Sequence, residues 1–328
     1  MKIKFLIRNI IIISLGIIVL ALMGCESKNE KNVLQNSISI AEQFGLAYAP
    51  LQIMKQNKIF EKNYPGVNID WKQLGNTAAI REAMLTNQVE VGFMAIPPFL
   101  IGLDRGMEWK IASGLSESPV ALVTNSEKIK SISDFSEKDR IALPQPGSIQ
   151  HILLAMECEK EFGDAKKLDN LLVTLAHPDG MNALLSAKDV TAHFTTPPYL
   201  FKELEQNNIH QILDGKEAIG VDFTFVVGVT TNKFHDTKPE LYSAFIKSLK
   251  ESIQFMQKNP DKAAEILAPI YKLSRVEVLT YITHKDMVYT HEVKGVNEFA
   301  KFMKRNNYIS KDYNDNNSTM WDDAAYEK

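Results

Sequence analysis

The sequence predicts an α/β protein built from two similar lobes. Three observations carry this expectation. Strand and helix signals alternate through the first two thirds of the chain. A segment recurs at a fixed offset of 100 residues. The last third then turns helical.

The alternation reads in order. Ser37 to Ala41 alternates apolar and polar residues, as a half-buried strand does. Pro50 opens a helix through Asn57, where a proline suits the first turn. Val67 to Trp71 alternates again, and Asn76 is placed to cap a helix with Ile80, Ala83 and Met84 on one face. Val89–Met94, Ile111, Val120–Thr124 and Arg140–Leu143 read as strands. Ser148–Phe162 reads as a helix, Leu171–Ala176 as a strand, Met181–Ala187 as a helix and Val190–Thr195 as a strand. Phe225–Thr231 is β-rich. Helices follow over Pro239–Lys258, from Asn259-Pro260 to Tyr271, after the capping box Ser274–Glu277, and over Gly295–Asn307. The polar tail from Lys311 is expected to be poorly ordered in part.

The echo aligns residues 83–100 (AMLTNQVEVGFMAIPPFL) with 183–200 (ALLSAKDVTAHFTTPPYL). Pro97 and Pro98 repeat as Pro197 and Pro198. Two lobes made from one kind of unit are the simplest explanation.

Composition excludes several classes. The 328 residues carry a net charge of −3, which gives no electrostatic case for nucleic-acid binding. Two cysteines exclude a disulfide scaffold and a Cys-rich zinc module. The histidines are dispersed, with no pair at ligand spacing on a shared face, so neither a metal nor a cofactor is expected. No G-x-S-x-G, H-E-x-x-H, Walker A or G-x-G-x-x-G motif is present, so no catalytic residue is assigned.

The first residues read as an export signal. Lys2, Lys4 and Arg8 precede the apolar run Ile10–Met23, which is shorter than the roughly 20 residues a membrane-spanning helix needs. The run ends in Leu22-Met23-Gly24-Cys25, which resembles a bacterial lipobox. That resemblance implies a signal peptide over 1–24 and a lipid on Cys25, with a polar tether to residue 37. The chain from Cys25 would carry 34 basic and 40 acidic side chains. Cys158 is its only other thiol and reads as a small buried hydrophobe.

In open α/β sheets, ligands bind beyond the carboxyl ends of the strands. Those ends fall at Glu42–Pro50, Met94–Pro97, Gly114–Pro119, Pro144–His151 and His193–Pro197. The candidate contacts they offer are Gln43, Phe44, Tyr48, Ile96, Ser116, Glu117, Gly147, Ser148, Gln150, His193, Thr195 and Thr196. Gly147-Ser148 opens a helix whose first amides are suited to an anion or a carbonyl oxygen. None of these turns holds Lys or Arg. Two ligand types stay open: an anion held by helix N-termini, or a neutral or cationic molecule with Glu42 or Glu117 as partner.

The lipobox, Pro65-Gly66-Val67, Met94-Ala-Ile-Pro-Pro-Phe, Ser131-Ile-Ser-Asp-Phe135, Arg140–Ser148, Met181-Asn-Ala-Leu184 and Asn259–Leu267 resemble the extracytoplasmic solute-binding proteins of ABC importers. The group most similar in motif order is the nitrate, sulfonate and taurine class, which includes thiamine-pyrimidine binders. Asn87-Gln88-Val89-Glu90 departs from that group's Gly-x-Val-Asp turn.

The resemblance implies a type II periplasmic-binding-protein fold. Lobe 1 would span 38–123 plus 225–328 and lobe 2 would span 124–224. Two crossover strands would join them, and the C-terminal helices would pack on lobe 1. It implies a lipid-anchored, monomeric, non-enzymatic protein outside the cell membrane. Its partners would be a small-molecule solute and the importer's permease and ATPase. A surface lipoprotein for sensing or adhesion, and an enzyme on the same fold, are the alternatives.

Overall fold

The computed structural model describes residues 36–313 and 315–325. The expected signal peptide, Cys25 and nearly all of the tether lie outside them. No helix among the described residues is long and apolar enough to cross a membrane.

The strands form two five-stranded sheets. The first runs β2 (Asn68–Gln73), β1 (Ser37–Glu42), β3 (Val91–Met94), β10 (Val226–Thr231), β4 (Trp109–Ser116). The second runs β7 (Leu172–Thr174), β6 (Ile141–Leu143), β8 (Ala192–Thr195), β5 (Ala121–Thr124), β9 (His210–Asp214). In each sheet three neighbouring strands are parallel and the fourth runs antiparallel. The chain leaves the first sheet after Ser116 and enters the second at Ala121, so the expected boundary at 123/124 falls inside β5. It returns at Val226.

Helices α1 (Ala49–Gln56), α2 (Ile59–Asn63), α3 (Thr77–Leu85) and α4 (Ile96–Asp104) connect the first sheet. Helices α5 (Ile149–Phe162), α6 (His177–Leu185), α7 (Tyr199–Leu204) and α8 (Gly215–Ile219) serve the second. The remainder are α9 (Asn232–Thr237), α10 (Pro239–Lys258), α11 (Pro260–Tyr271), α12 (Arg275–Ile282), α13 (Val296–Arg305) and α14 (Asn316–Thr319). Helix α10 puts Leu241, Phe245, Leu249, Ile253 and Met256 on one buried stripe. Phe245 reaches both Phe60 and Phe93, with ring centroids 6.0 and 6.2 Å apart, which docks α10 on the first sheet. Ser274 and Glu277 close both halves of the expected capping box on α12.

Two expectations change. Helix α6 begins at His177, four residues before Met181, because Pro178 is tolerated in a first turn and Gly180 lies in the helix rather than in a loop. The tail after Lys311 is not loose over its described part. Met320 bridges to Ile111, and Trp321 donates to Thr230 Oγ1 (2.8 Å) while stacking on His235 with centroids 3.7 Å apart. Apolar contact and a satisfied indole N–H outweigh the polar sequence around them.

Candidate functional site

The lobes touch around a small pocket. Leu46 N–H donates to Pro197 O (3.0 Å), Ala78 N–H to Gln145 Oε1 (2.9 Å), and Ser118 Oγ meets Thr196 Oγ1 at 2.9 Å. Gly45 permits the first of these. Its φ of +126° suits glycine, and a Cβ there would stand 3.3 Å from Pro197 O. Arg305 and Asn306 bind Glu159 from the far side, and Lys202 binds Glu277.

The pocket is lined by Gln43, Phe44, Tyr48, Gly75, Thr77, Ala95, Pro98, Pro144, Ser148, Ile149, Gln150, His177 and Phe225. Its free volume is about 30 Å³. That holds only a few water-sized groups. First-turn or capping residues of four helices reach it: Thr77 of α3, Ala95 and Pro98 of α4, Ser148 to Gln150 of α5, and His177 of α6. The first N–H groups of a helix lack intrahelical partners and carry the positive end of its dipole. Among the described residues, those lining the pocket include no Lys, Arg, Asp or Glu. Pro97, Pro98 and Pro178 carry no N–H, and those of Ala78 and Ala79 are taken by Gln145 and Asn76, so the first amides of α5 are the main donors this wall offers an electron-rich group, without a fixed countercharge.

Local bonds fix this wall. Asn76 Oδ1 accepts from Ala79 N–H and Ser148 Oγ accepts from His151 N–H, so both caps form. Gln43 Nε2 donates to Tyr48 Oη (3.0 Å) and Thr77 Oγ1 (3.1 Å). Gln150 Nε2 lies 3.2 Å from His177 Nε2, and His177 Nδ1 lies 3.2 Å from His193 Nε2. His193 Nδ1 lies 2.6 Å from Glu203 Oε1. Burial pushes the Glu203 carboxyl up to about 9 and His193 down to about 3, and holds His177 well below the usual imidazole range.

The structure brings five of the sequence-selected residues to the pocket: Gln43, Phe44, Tyr48, Ser148 and Gln150. Ile96, Ser116, Gly147, His193, Thr195 and Thr196 do not line it. Ile96, Ser116, His193 and Thr195 are wholly buried, and the hydroxyls of Ser116 and Thr195 find no protein partner. Gly147 N–H donates to His151 Nδ1 (2.8 Å). Glu117 lies elsewhere. It pairs with Lys294 (3.0 Å) and lines a separate surface depression with Asp214, Asp222 and Asp286. Glu42 does not line the pocket either. It is buried against Gln52 Nε2 (2.5 Å), and burial raises it to about 7.

Sequence reasoning missed Thr77, His177, Phe225 and the small residues between them. Two of these lie just outside the echo of 83–100 in 183–200. Thr77 and His177 stand at the same offset of 100 and open helices with matching bounds.

The family model described as NMT1/THI5 like matches residues 60–263. The taurine-binding periplasmic protein of Escherichia coli (strain K12) is 23% identical over 248 residues, 73% of this chain and 74% of that protein. The fold is similar to the alkanesulfonate-binding protein SsuA from Xanthomonas axonopodis pv. citri bound to MOPS. The TM-score is 0.72 at 16% identity, over 84% of this chain and 95% of that one. It is also similar to the periplasmic aliphatic sulphonate binding protein SsuA from Escherichia coli. There the TM-score is 0.67 at 18% identity, over 89% and 94%. These are binding proteins rather than enzymes, and they share the type II periplasmic-binding-protein fold seen here. With its matched segment covering well over half of the sequence, the chain belongs to the NMT1/THI5-like family.

Proposed function

We propose that this chain is the extracytoplasmic solute-binding component of an ABC importer, anchored by a lipid on Cys25 and acting as a monomer. Its solute is a small oxyanion or an organic solute bearing one, of the sulfonate, taurine or nitrate kind. The observation that carries this reading is the uncharged pocket between the lobes, at which four helix N-termini converge. Gln43, Phe44, Tyr48, Ser148 and Gln150 are the proposed direct contacts, joined by Thr77 and His177. Ile96, Ser116, Gly147, His193, Thr195 and Thr196 would support them. Glu117, paired with Lys294 outside the pocket, is not among them.

Solute binds one lobe, and closure of the other adds contacts such as those at Gln145 and Pro197. The closed form is favoured only by the solute's differential affinity for it. The permease would read that form. A thiamine-pyrimidine-like heterocycle is the second reading, favoured by the rings of Phe44, Tyr48 and Phe225 at the same pocket.

Thermal unfolding of the chain from Glu26, against taurine, alkanesulfonates, nitrate and pyrimidines, tests the proposal. A solute at 100 times its Kd adds about 2.7 kcal/mol, a shift of several degrees. A shift with sulfonates supports the first reading and a shift with pyrimidines the second. No shift with any solute, in protein that native mass spectrometry finds empty, overturns solute capture.

A further inference from the structure

Three side chains behind the pocket form one continuous buried line. His177 opens α6 at the pocket wall, His193 lies on β8 behind it, and Glu203 lies on α7 behind that. The links are 3.2 and 2.6 Å, and both His193 and Glu203 are 0% exposed. Glu203 Oε1 bonds to His193, while Oε2 has no partner.

The groups facing this line are few. Strands β5 and β6 place Val123 and Ala142 beside His193. Helix α6 adds Gly180, whose missing Cβ would sit 2.6 Å from His193 Nε2. Helix α7 adds Tyr199, stacked on His177 at 5.8 Å, with Asp179 of α6 near its hydroxyl. Helix α5 adds Gln150, while its His151 is engaged with Asp169. Lys202 bonds to Glu205 and Glu277. No cation among the described residues pairs with Glu203.

An ionised carboxylate there would be buried with one oxygen unpartnered, the costliest arrangement. A protonated acid with its hydrogen on Oε2 would waste a donor. The hydrogen on Oε1, donated to His193 Nδ1, satisfies the 2.6 Å bond. The remaining directions then follow. A neutral imidazole that accepts at one nitrogen donates from the other. His193 Nε2–H donates to His177 Nδ1, and His177 Nε2–H then points at Gln150, so the Gln150 amide must turn its Oε1, not its Nε2, to the 3.2 Å contact and present its N–H groups to the pocket.

We propose that Glu203 is a protonated acid that, through His193, fixes His177 as a neutral hydrogen-bond donor to Gln150 Oε1, so that the Gln150 amide faces the pocket with its N–H groups and the solute group at this wall is an acceptor such as a sulfonate oxygen. Glu203 is a positioning residue in this scheme. The inference rests on the solute reading above and deepens it by setting which way the wall's hydrogen bonds run.

The test combines histidine ¹⁵N and carboxyl ¹³C NMR of the full folded chain with titration by methanesulfonate. His177 and His193 are expected as Nε2–H tautomers, uncharged from pH 5 to 8, with Glu203 protonated at pH 7. Nδ1–H tautomers or an ionised Glu203 overturn the proposal while leaving solute binding intact. In binding, Glu203→Leu is expected to weaken methanesulfonate at least tenfold. Glu203→Gln keeps an N–H for His193 Nδ1 and should stay within about twofold of wild type. Equal affinity in wild type and Glu203→Leu overturns it. Wild-type protein that binds a pyrimidine but no methanesulfonate overturns it as well, with solute capture standing. Protein that binds nothing overturns the solute reading, and the tautomers still decide the direction of the line.

Discussion

The two lobes are the same unit used in two ways. Helices α3 and α6 span 77–85 and 177–185, and helices α4 and α7 end at Asp104 and Leu204. Asn87 and Ala187 both take the left-handed conformation that ends the first helix of each pair. Yet the residues at equivalent sites differ in kind. By strand register Gly92 in lobe 1 corresponds to His193 in lobe 2, and at the helices Ile80 and Leu103 correspond to Gly180 and Glu203. Ile80 and Met84 fill the space beside Gly92, whereas His193 fills the space beside Gly180 and bonds to His177 and Glu203. The backbone frame tolerates either filling. Lobe 1 uses the space behind its pocket wall for packing, and lobe 2 uses it for polarity.

The sharpest way to break this comparison is to truncate the apolar member. Ile80→Ala removes a wholly buried side chain and should cost about 2–5 kcal/mol of stability. Urea unfolding checks it. A cost below about 1 kcal/mol would mean that lobe 1 does not depend on this packing. His193→Leu keeps a similar volume but strips Glu203 of its partner, which should cost about 1–3 kcal/mol. Adding Glu203→Leu should restore stability to within about 1 kcal/mol of wild type, because the orphaned acid is gone. A double variant as unstable as the single one would show that lobe 2 cannot adopt the apolar filling of lobe 1.

The lobes should also respond differently to pH. Glu203 is raised in the folded protein to about 9, so its contribution is complete below the unfolded value near 4.5 and is lost as pH rises toward 9. His193 and His177 are lowered, so their contributions are lost as pH falls below about 6.5. Glu42 in lobe 1, raised to about 7, loses its contribution between about 4.5 and 7. Below pH 6.5 the histidine and carboxyl contributions oppose each other. Between pH 7 and 9 Glu203 acts alone among these groups, and stability should fall by about 2 kcal/mol. Denaturant midpoints in that range check it. The fall should vanish in Glu203→Gln, and a slope that persists there would assign it to another group.

Much of the frame was legible in the sequence, because local signals and global pattern agreed. Alternating strands, the Asn76, Ser148 and Ser274 caps and the stripe of α10 each follow from spacing alone. The site was legible only where a residue sits at a strand end. Gln43, Ser148 and Gln150 could be placed because backbone geometry carries their side chains to the pocket. His177 could not, because His177-Pro-Asp-Gly reads as a turn until Gly180 is seen to make room for His193. Glu117 shares the strand-end logic, yet its carboxylate pairs with Lys294, far away in sequence. Side-chain pairing across long separations leaves no local trace.

The smallest expected effect compares the helix caps that each lobe turns toward the pocket. Asn76 and Ser148 each satisfy a first-turn amide, so Asn76→Ala and Ser148→Ala should each cost about 1 kcal/mol of stability. Their effects on binding should differ. Asn76 does not line the pocket. Ser148 lines the pocket between Pro144 and Ile149, where its loss also loosens the amides that would face a solute. Calorimetric titration with methanesulfonate should show several-fold weaker binding for Ser148→Ala and unchanged binding for Asn76→Ala, at matched losses of stability. Equal weakening in both variants would mean that the two helix ends contribute alike, and that the lobes differ only in what lies behind the wall.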